Sequence, residues 1–202
     1  MDNITRLLMQ GAAGASGDAT YVDDVFSTFL WRGDGQSGRP ISNGIKLGNN
    51  NAGSSVHCDG NGDYLFLASS NDFAFGTADF TWEGWFYIND DGAYLINFGS
   101  DHGNLSFYTY GSATRRLQYY NATSSHQNYD TTVLSLSTWY HLAAARSSGT
   151  TKVFINGIEK MSFADGHNYT AQTCWIGSNG AGSGSFFQGN ISNIRIVKGQ
   201  AL

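Results

Sequence analysis

FTWEGWFYI, residues 80 to 88, sets five aromatic side chains around a single carboxylate, Glu83. Side chains alternate across an extended strand, so Phe80, Trp82, Gly84, Phe86 and Ile88 fall on one face and Thr81, Glu83, Trp85 and Tyr87 on the other. The first set reads as a core face. Gly84 within it is expected to make room for a bulky side chain from an opposing sheet. The second set is amphipathic, wet but able to stack against a ligand, and it carries Glu83 outward. Whether that glutamate is a catalytic acid in a sugar cleft or a polar residue of a binding surface is the question this stretch raises.

The same period recurs downstream. In TWYHLAAARSSGTTKVFINGIEK, Trp139, His141, Ala143 and Ala145 share one face, and Tyr140, Leu142, Ala144 and Arg146 share the other. SSGT turns the chain, VFI returns it, and Asn156-Gly157 fits a two-residue type I′ hairpin turn. YLINFG, LSFYTY, LQYY, TCWIG and NIRIV read as further strands, and no helical period of similar strength follows residue 54. With 26 Gly against one Pro and 14% aromatic residues, many short strands joined by tight turns are expected. The fold class expected is all-β, an antiparallel two-sheet sandwich.

Two regions differ in texture. Residues 1–53 hold one apolar cluster, YVDDVFSTFLWRGDG, and then turn-rich text, too thin a core for independent folding. They read as an arm that packs on the main domain or on a neighbour, with the domain proper spanning 54–202. The start, MDNITRLLMQGAAGASGD, offers only Leu7 to Met9 as an apolar run, too short for a signal peptide. Cys58 and Cys174 lie in strand-like apolar text and read as buried free thiols. A net charge of −5 with 13% charged residues provides no basic footprint for nucleic acid or anionic lipid, and no apolar run reaches transmembrane length.

The ordered set DGNGDYLFL (59–67), FGTADFTWEGWFYI, STWYHLAAAR with KVFINGIE, CWIGSN and FFQGNISNIRIVKGQAL resembles the laminin-G-like, concanavalin A-like lectin jelly roll over about residues 55–202. That resemblance implies two curved antiparallel sheets whose concave face and end loops often bind glycans. Where many relatives carry an acidic pair in the last strand, this chain has Ser192 and Asn193, which puts a structural calcium of that type in doubt. Separately, YVDDVFSTFLWRGDG (21–35) with ISNGIKL (41–47) resembles a segment of bacteriophage virion proteins that precedes lectin-like domains. It implies a capsid decoration, capsid fibre or tail-fibre subunit, localised to the virion, with other virion proteins as partners through the arm and a homo-oligomer as a further expectation. The alternative is a stand-alone carbohydrate-binding module outside a particle.

Glycoside hydrolysis normally uses two carboxylates at a set separation, and glucanases of this fold carry theirs on one strand as E-x-D-x-x-E. After Glu83 come Gly84, Trp85, Phe86, Tyr87 and Ile88, so no catalytic residue is assigned. No G-x-S-x-G elbow occurs, the five histidines lack zinc-ligand spacing, and Arg32-Gly33-Asp34 is assigned no role. Asp59, Asn61 and Asp63 resemble half of a calcium loop, with self-capping turn residues as the alternative; no other cofactor is expected. Glycan recognition remains, because sugars offer C–H faces to aromatic rings and hydroxyls to carboxylates and amides. Glu83, Trp85 and Tyr87 fit that demand. Tyr108, Tyr110, Gln118 and Tyr120 extend the surface if LSFYTY and LQYY are neighbouring strands. The competing reading packs these rings under the arm or in a subunit interface.

Overall fold

The computed structural model describes residues 27–31, 46–50, 53–99, 105–110, 115–121, 126–180 and 185–202. Within them the chain forms strands and a single 3-10 turn, Asn71–Phe73. Two sheets result, with every strand pair antiparallel. Strands are numbered in chain order. The larger sheet runs β12 (Ile158–Ala164), β11 (Thr150–Ile155), β10 (Thr138–Ser147), β5 (Phe80–Ile88), β14 (Gln188–Lys198), β3 (Gly53–Asp59) and β2 (Lys46–Asn50), with β1 (Ser27–Trp31) also paired to β14. The smaller runs β4 (Leu65–Ser70), β13 (Gln172–Ile176), β6 (Tyr94–Phe98), β7 (Leu105–Tyr110), β8 (Arg116–Asn121) and β9 (His126–Val133). This is the all-β sandwich that alternation predicts.

FTWEGWFYI, strand β5, occupies the middle of the larger sheet. Phe80, Trp82, Phe86 and Ile88 are all within 1% of full burial, and each contributes about 1.5–3 kcal/mol by leaving water. Loop rings meet them: Phe75 stacks on Phe80 at 4.9 Å and meets Phe98 of the smaller sheet edge-on at 5.3 Å, and Phe187 meets Phe86 edge-on at 6.0 Å. Tyr119 of β8 reaches Phe163 of β12 at 5.1 Å, which joins the sheets at their far edge.

Gly84 does make room, but for a residue of its own sheet. A Cβ built there would sit 2.2 Å from Ile194 Cδ1 on the adjacent strand β14. The expected donor from the opposing sheet is thereby corrected. The reason is a bulge: Ser192 pairs with Trp85 and Arg195 with Glu83, so β14 spends one residue more than β5 over this interval. Asn193 takes up the excess at φ 51°, a left-handed conformation asparagine tolerates better than most residues. The slip keeps Ile194 and Ile196 in the core and turns Arg195 outward.

Local turn chemistry explains the hairpins. Asn156 and Gly157 both have positive φ, 51° and 77°, as a type I′ turn requires, and Ser148-Gly149 repeats the pattern at 49° and 75°. Arg146, on the core face of β10, is wholly buried. Its guanidinium donates to the carbonyls of Ala78 (2.9 Å), Gly76 (2.7 Å) and His167 (2.8 Å), and lies 4.9 Å from the centres of both the Phe80 and Tyr169 rings. Asp165, 3.8 Å away, supplies the counter-charge, and itself accepts from Thr151 and Tyr169 hydroxyls. Two loops are thus sewn to one strand end.

Two segments of the 1–53 region are strands of the larger sheet: β2 pairs with β3 and β1 with the C-terminal half of β14. Cys58 of β3 and Cys174 of β13 are free and buried, in different sheets. Burial pushes the Cys58 thiol up to about 12, and raises that of Cys174 as well.

Candidate functional site

Sheet order brings the outward residues of β5 beside those of β10 and β14. His141 is opposite Trp85 and Trp139 opposite Tyr87; on the other side Asn190 is opposite Tyr87, Ser192 opposite Trp85 and Arg195 opposite Glu83. The rings pair accordingly. Trp85 and His141 lie 5.2 Å apart at 52°, Tyr87 and Trp139 5.5 Å apart at 52°. Trp85 remains 41% exposed, a large apolar surface left to solvent at the middle of a sheet. Asn190 continues the surface, its carboxamide oxygen 3.4 Å from His57 Nδ1 and its nitrogen donating to Ser55 Oγ at 3.0 Å.

Glu83 is tied on both oxygens. Arg195 donates from Nε to Oε1 at 2.6 Å, with a second contact from one of its terminal nitrogens, and His141 Nε2 stands 3.3 Å from Oε2. The hydrogen bond to His141 and then the charge of Arg195 hold the carboxyl below the usual glutamate range, against the opposing pull of partial burial. A glycosidase general acid needs the reverse shift, upward by desolvation. The arrangement offers instead a fixed anion, able to accept sugar hydroxyls, next to two tilted ring pairs.

Thr81, the remaining outward residue of this strand, is covered by the chain's last residues: its hydroxyl donates to the Gln200 carbonyl at 3.1 Å and accepts from the Leu202 amide at 2.9 Å. The ring pairs therefore occupy one end of the strand and the C-terminal residues the other.

The second group of sequence candidates lies elsewhere. Strands β7 and β8 are neighbours, and Tyr108 and Tyr110 pair in register with Gln118 and Arg116, but both strands belong to the smaller sheet. The side chains of Tyr108 and Tyr110 lie outside the described residues. Gln118, between the core residues Leu117 and Tyr119, is fully buried with neither amide atom hydrogen-bonded, and Tyr120 is half-buried. Glu83, Trp85 and Tyr87 are thus one cluster, and Gln118 and Tyr120 are separated from it by the sandwich core.

The loop residues Asp59, Asn61 and Asp63 cap their own turn. Asp59 Oδ1 accepts from the Asn61 amide at 2.7 Å and Asp63 Oδ2 from the Asp59 amide at 3.0 Å, with Gly60 and Gly62 at positive φ. Asp63 is 3% exposed, and no group of three or more His, Cys, Asp or Glu able to hold a metal occurs among the described residues. One carboxylate oxygen of each aspartate is thus engaged within the loop itself, as in the self-capping alternative.

Sequence reasoning missed the partners of Glu83. Nothing local in STWYHLAAAR or NIRIVK ties His141 or Arg195 to a residue over fifty positions away. It also missed a second outward ring cluster, on the smaller sheet: Trp175 lies 4.4 Å from Phe66 and 5.1 Å from Tyr64. The signal for that one was present, since Cys174 and Ile176 on the core face leave Trp175 outside by alternation.

An antiparallel sandwich with an aromatic and charged outer face defines a lectin-like class of domain. The family model described as the concanavalin A-like lectin/glucanases superfamily matches residues 59–202, and the chain belongs to that family. Among solved structures, domain 4 of AbnA, an extracellular arabinanase of Geobacillus stearothermophilus solved with arabinotriose, is 19% identical with a TM-score of 0.60, over 86% of this chain and 83% of that one. The SAP-like pentraxin of Limulus polyphemus, a heptamer, is 20% identical at TM-score 0.51, covering 69% and 70%. Trypanosoma rangeli sialidase in complex with sialic acid is 12% identical at TM-score 0.64; 98% of this chain is covered but only 36% of the sialidase, so the chain spans about a third of that enzyme. At these identities the likeness is one of fold. No curated protein matches the sequence.

Proposed function

We propose that this chain is a non-enzymatic glycan-binding module whose sugar site is the outer face of the larger sheet, with Trp85 and Tyr87 as stacking rings and Glu83 as hydroxyl acceptor. One observation carries the reading: Trp85 stands 41% exposed beside a carboxylate that Arg195 and His141 hold in place. Pyranose C–H faces stack on such rings, and an immobilised anion orients the hydroxyls around them without losing rotamer freedom on binding. Family membership and the arabinotriose complex of the arabinanase domain support it. Binding to a glycan array or to bacterial cell walls tests it. Trp85→Ala is expected to lower the signal at least about tenfold, the scale of a lost ring contact. Trp175→Ala, on the other sheet, serves as the control. An unchanged signal in Trp85→Ala overturns the site.

The particle setting is the finer part of the proposal. The resemblance of residues 21–35 and 41–47 to phage virion proteins favours a capsid decoration, capsid fibre or tail-fibre subunit, attached through the 1–53 region and displaying the lectin-like domain outward. Proteomic analysis of purified particles is expected to contain the chain. Its absence there leaves the stand-alone carbohydrate-binding module as the reading.

A further inference from the structure

The charge arrangement on the proposed sugar face bears on which sugars it accepts. Glu83 lies about 7 Å along the strand from Trp85, two residues at about 3.3 Å each, so a ring stacked on the indole brings its substituents to the Glu83–Arg195 pair. Arg195 lies directly across from Glu83 on the adjacent strand. Its Nε and one terminal nitrogen are already engaged by the glutamate, both converging on the single oxygen Oε1 in charge-assisted contacts. Lys152, on β11 two strands away from β5, is itself paired with Glu159 at 2.9 Å. An acidic sugar docking here would have to expel Glu83 from Arg195 or place its own carboxylate against that of Glu83. Either route is unfavourable, the first by losing a charge-assisted pair and the second by like-charge contact in a partly desolvated setting.

We infer that Glu83 acts as a built-in competitor for Arg195, so that the face selects neutral saccharides and rejects those ending in a sialic or uronic acid. The inference rests on the glycan-binding reading above and adds the ligand class to it. The device is steric and electrostatic at once: the internal carboxylate fills the place an external one would take.

Removing the competitor's charge tests it. The wild type and Glu83→Gln are compared on matched oligosaccharide pairs, identical except for a terminal sialic or glucuronic acid residue, with thermal melting and near-ultraviolet circular dichroism confirming that the variant is folded. The wild type is expected to bind neutral members about tenfold or more better than their acidic partners, the order of one like-charge contact. In Glu83→Gln the ratio of acidic to neutral binding is expected to rise about tenfold, because the negative charge that neutralises Arg195 is removed. Raising salt is expected to weaken that acquired acidic binding. Wild-type preference for the acidic members overturns the inference and leaves the glycan reading standing. An unchanged ratio in folded Glu83→Gln overturns the role of Glu83 in the selection. Binding of no member by the wild type overturns the glycan reading itself.

Discussion

At the scale of single residues, Glu83 shows how much a side chain's role depends on neighbours its own strand does not name. Alternation along FTWEGWFYI was enough to place it outside the core. That His141 and Arg195 flank it depended on which strands lie on either side, information distributed over most of the chain. The consequence is measurable by pH. A carboxyl held below its ordinary value of about 4.3 adds stability that is fully present above that value and is lost as pH falls through its lower, folded-state value. Urea midpoints of wild type and Glu83→Gln are therefore expected to stay separated by a constant gap above about pH 5 and to converge on further acidification. A gap independent of pH would show that the ion pair contributes nothing to folding. Because the groups are 20–29% exposed, the gap is expected to be small, about 1 kcal/mol or less.

At the scale of elements, the strands were legible and the pairing was not. FTWEGWFYI and TWYHLAAAR declared their faces through period two, and Asn156-Gly157 declared its turn. The region from Asn190 to Lys198 was harder, because simple alternation from Ile191 puts Arg195 in the core. The irregular spacing of Ile191, Ile194 and Ile196, with an asparagine between, is the trace the bulge leaves in the sequence. LGNN in β2 has low strand propensity and pairs through backbone hydrogen bonds, so no side-chain pattern marked it. The bulge and Gly84 form one fitted unit. Gly84→Ala is expected to destabilise by about 1–3 kcal/mol in chemical denaturation, because its methyl would overlap Ile194 Cδ1. Combining it with Ile194→Val, which removes that atom, is expected to recover part of the loss. Additive effects would mean that the two residues do not share the space.

At the scale of the whole molecule, the sheets are joined by rings and the loop ends by a buried cation. Sequence grouped Arg146 with Leu142 and Ala144 on one face without marking that face as core, and gave no hint of what would satisfy it there; three carbonyls and Asp165 do so from loops 68 and about 20 residues away. Arg146→Met keeps the bulk and removes every donor, leaving Asp165 without its counter-charge. A loss of about 3–5 kcal/mol is expected, read from urea or guanidinium unfolding, and a loss below about 1 kcal/mol would show that the loops hold without it. The candidate site was legible in the same uneven way. Its stacking residues followed from one strand, whereas Gln118 and Tyr120 were grouped with them only because the sequence does not say which of two sheets a strand joins.

The sealed thiols have a practical corollary. With Cys58 and Cys174 enclosed and reluctant to ionise, maleimide reagents near neutral pH should find nothing to react with in the native fold. A cysteine introduced at an exposed position such as Ser147 would then take up a fluorophore selectively. Ligand capture on the larger sheet could be followed by emission changes, without first stripping the protein of its natural sulfhydryls.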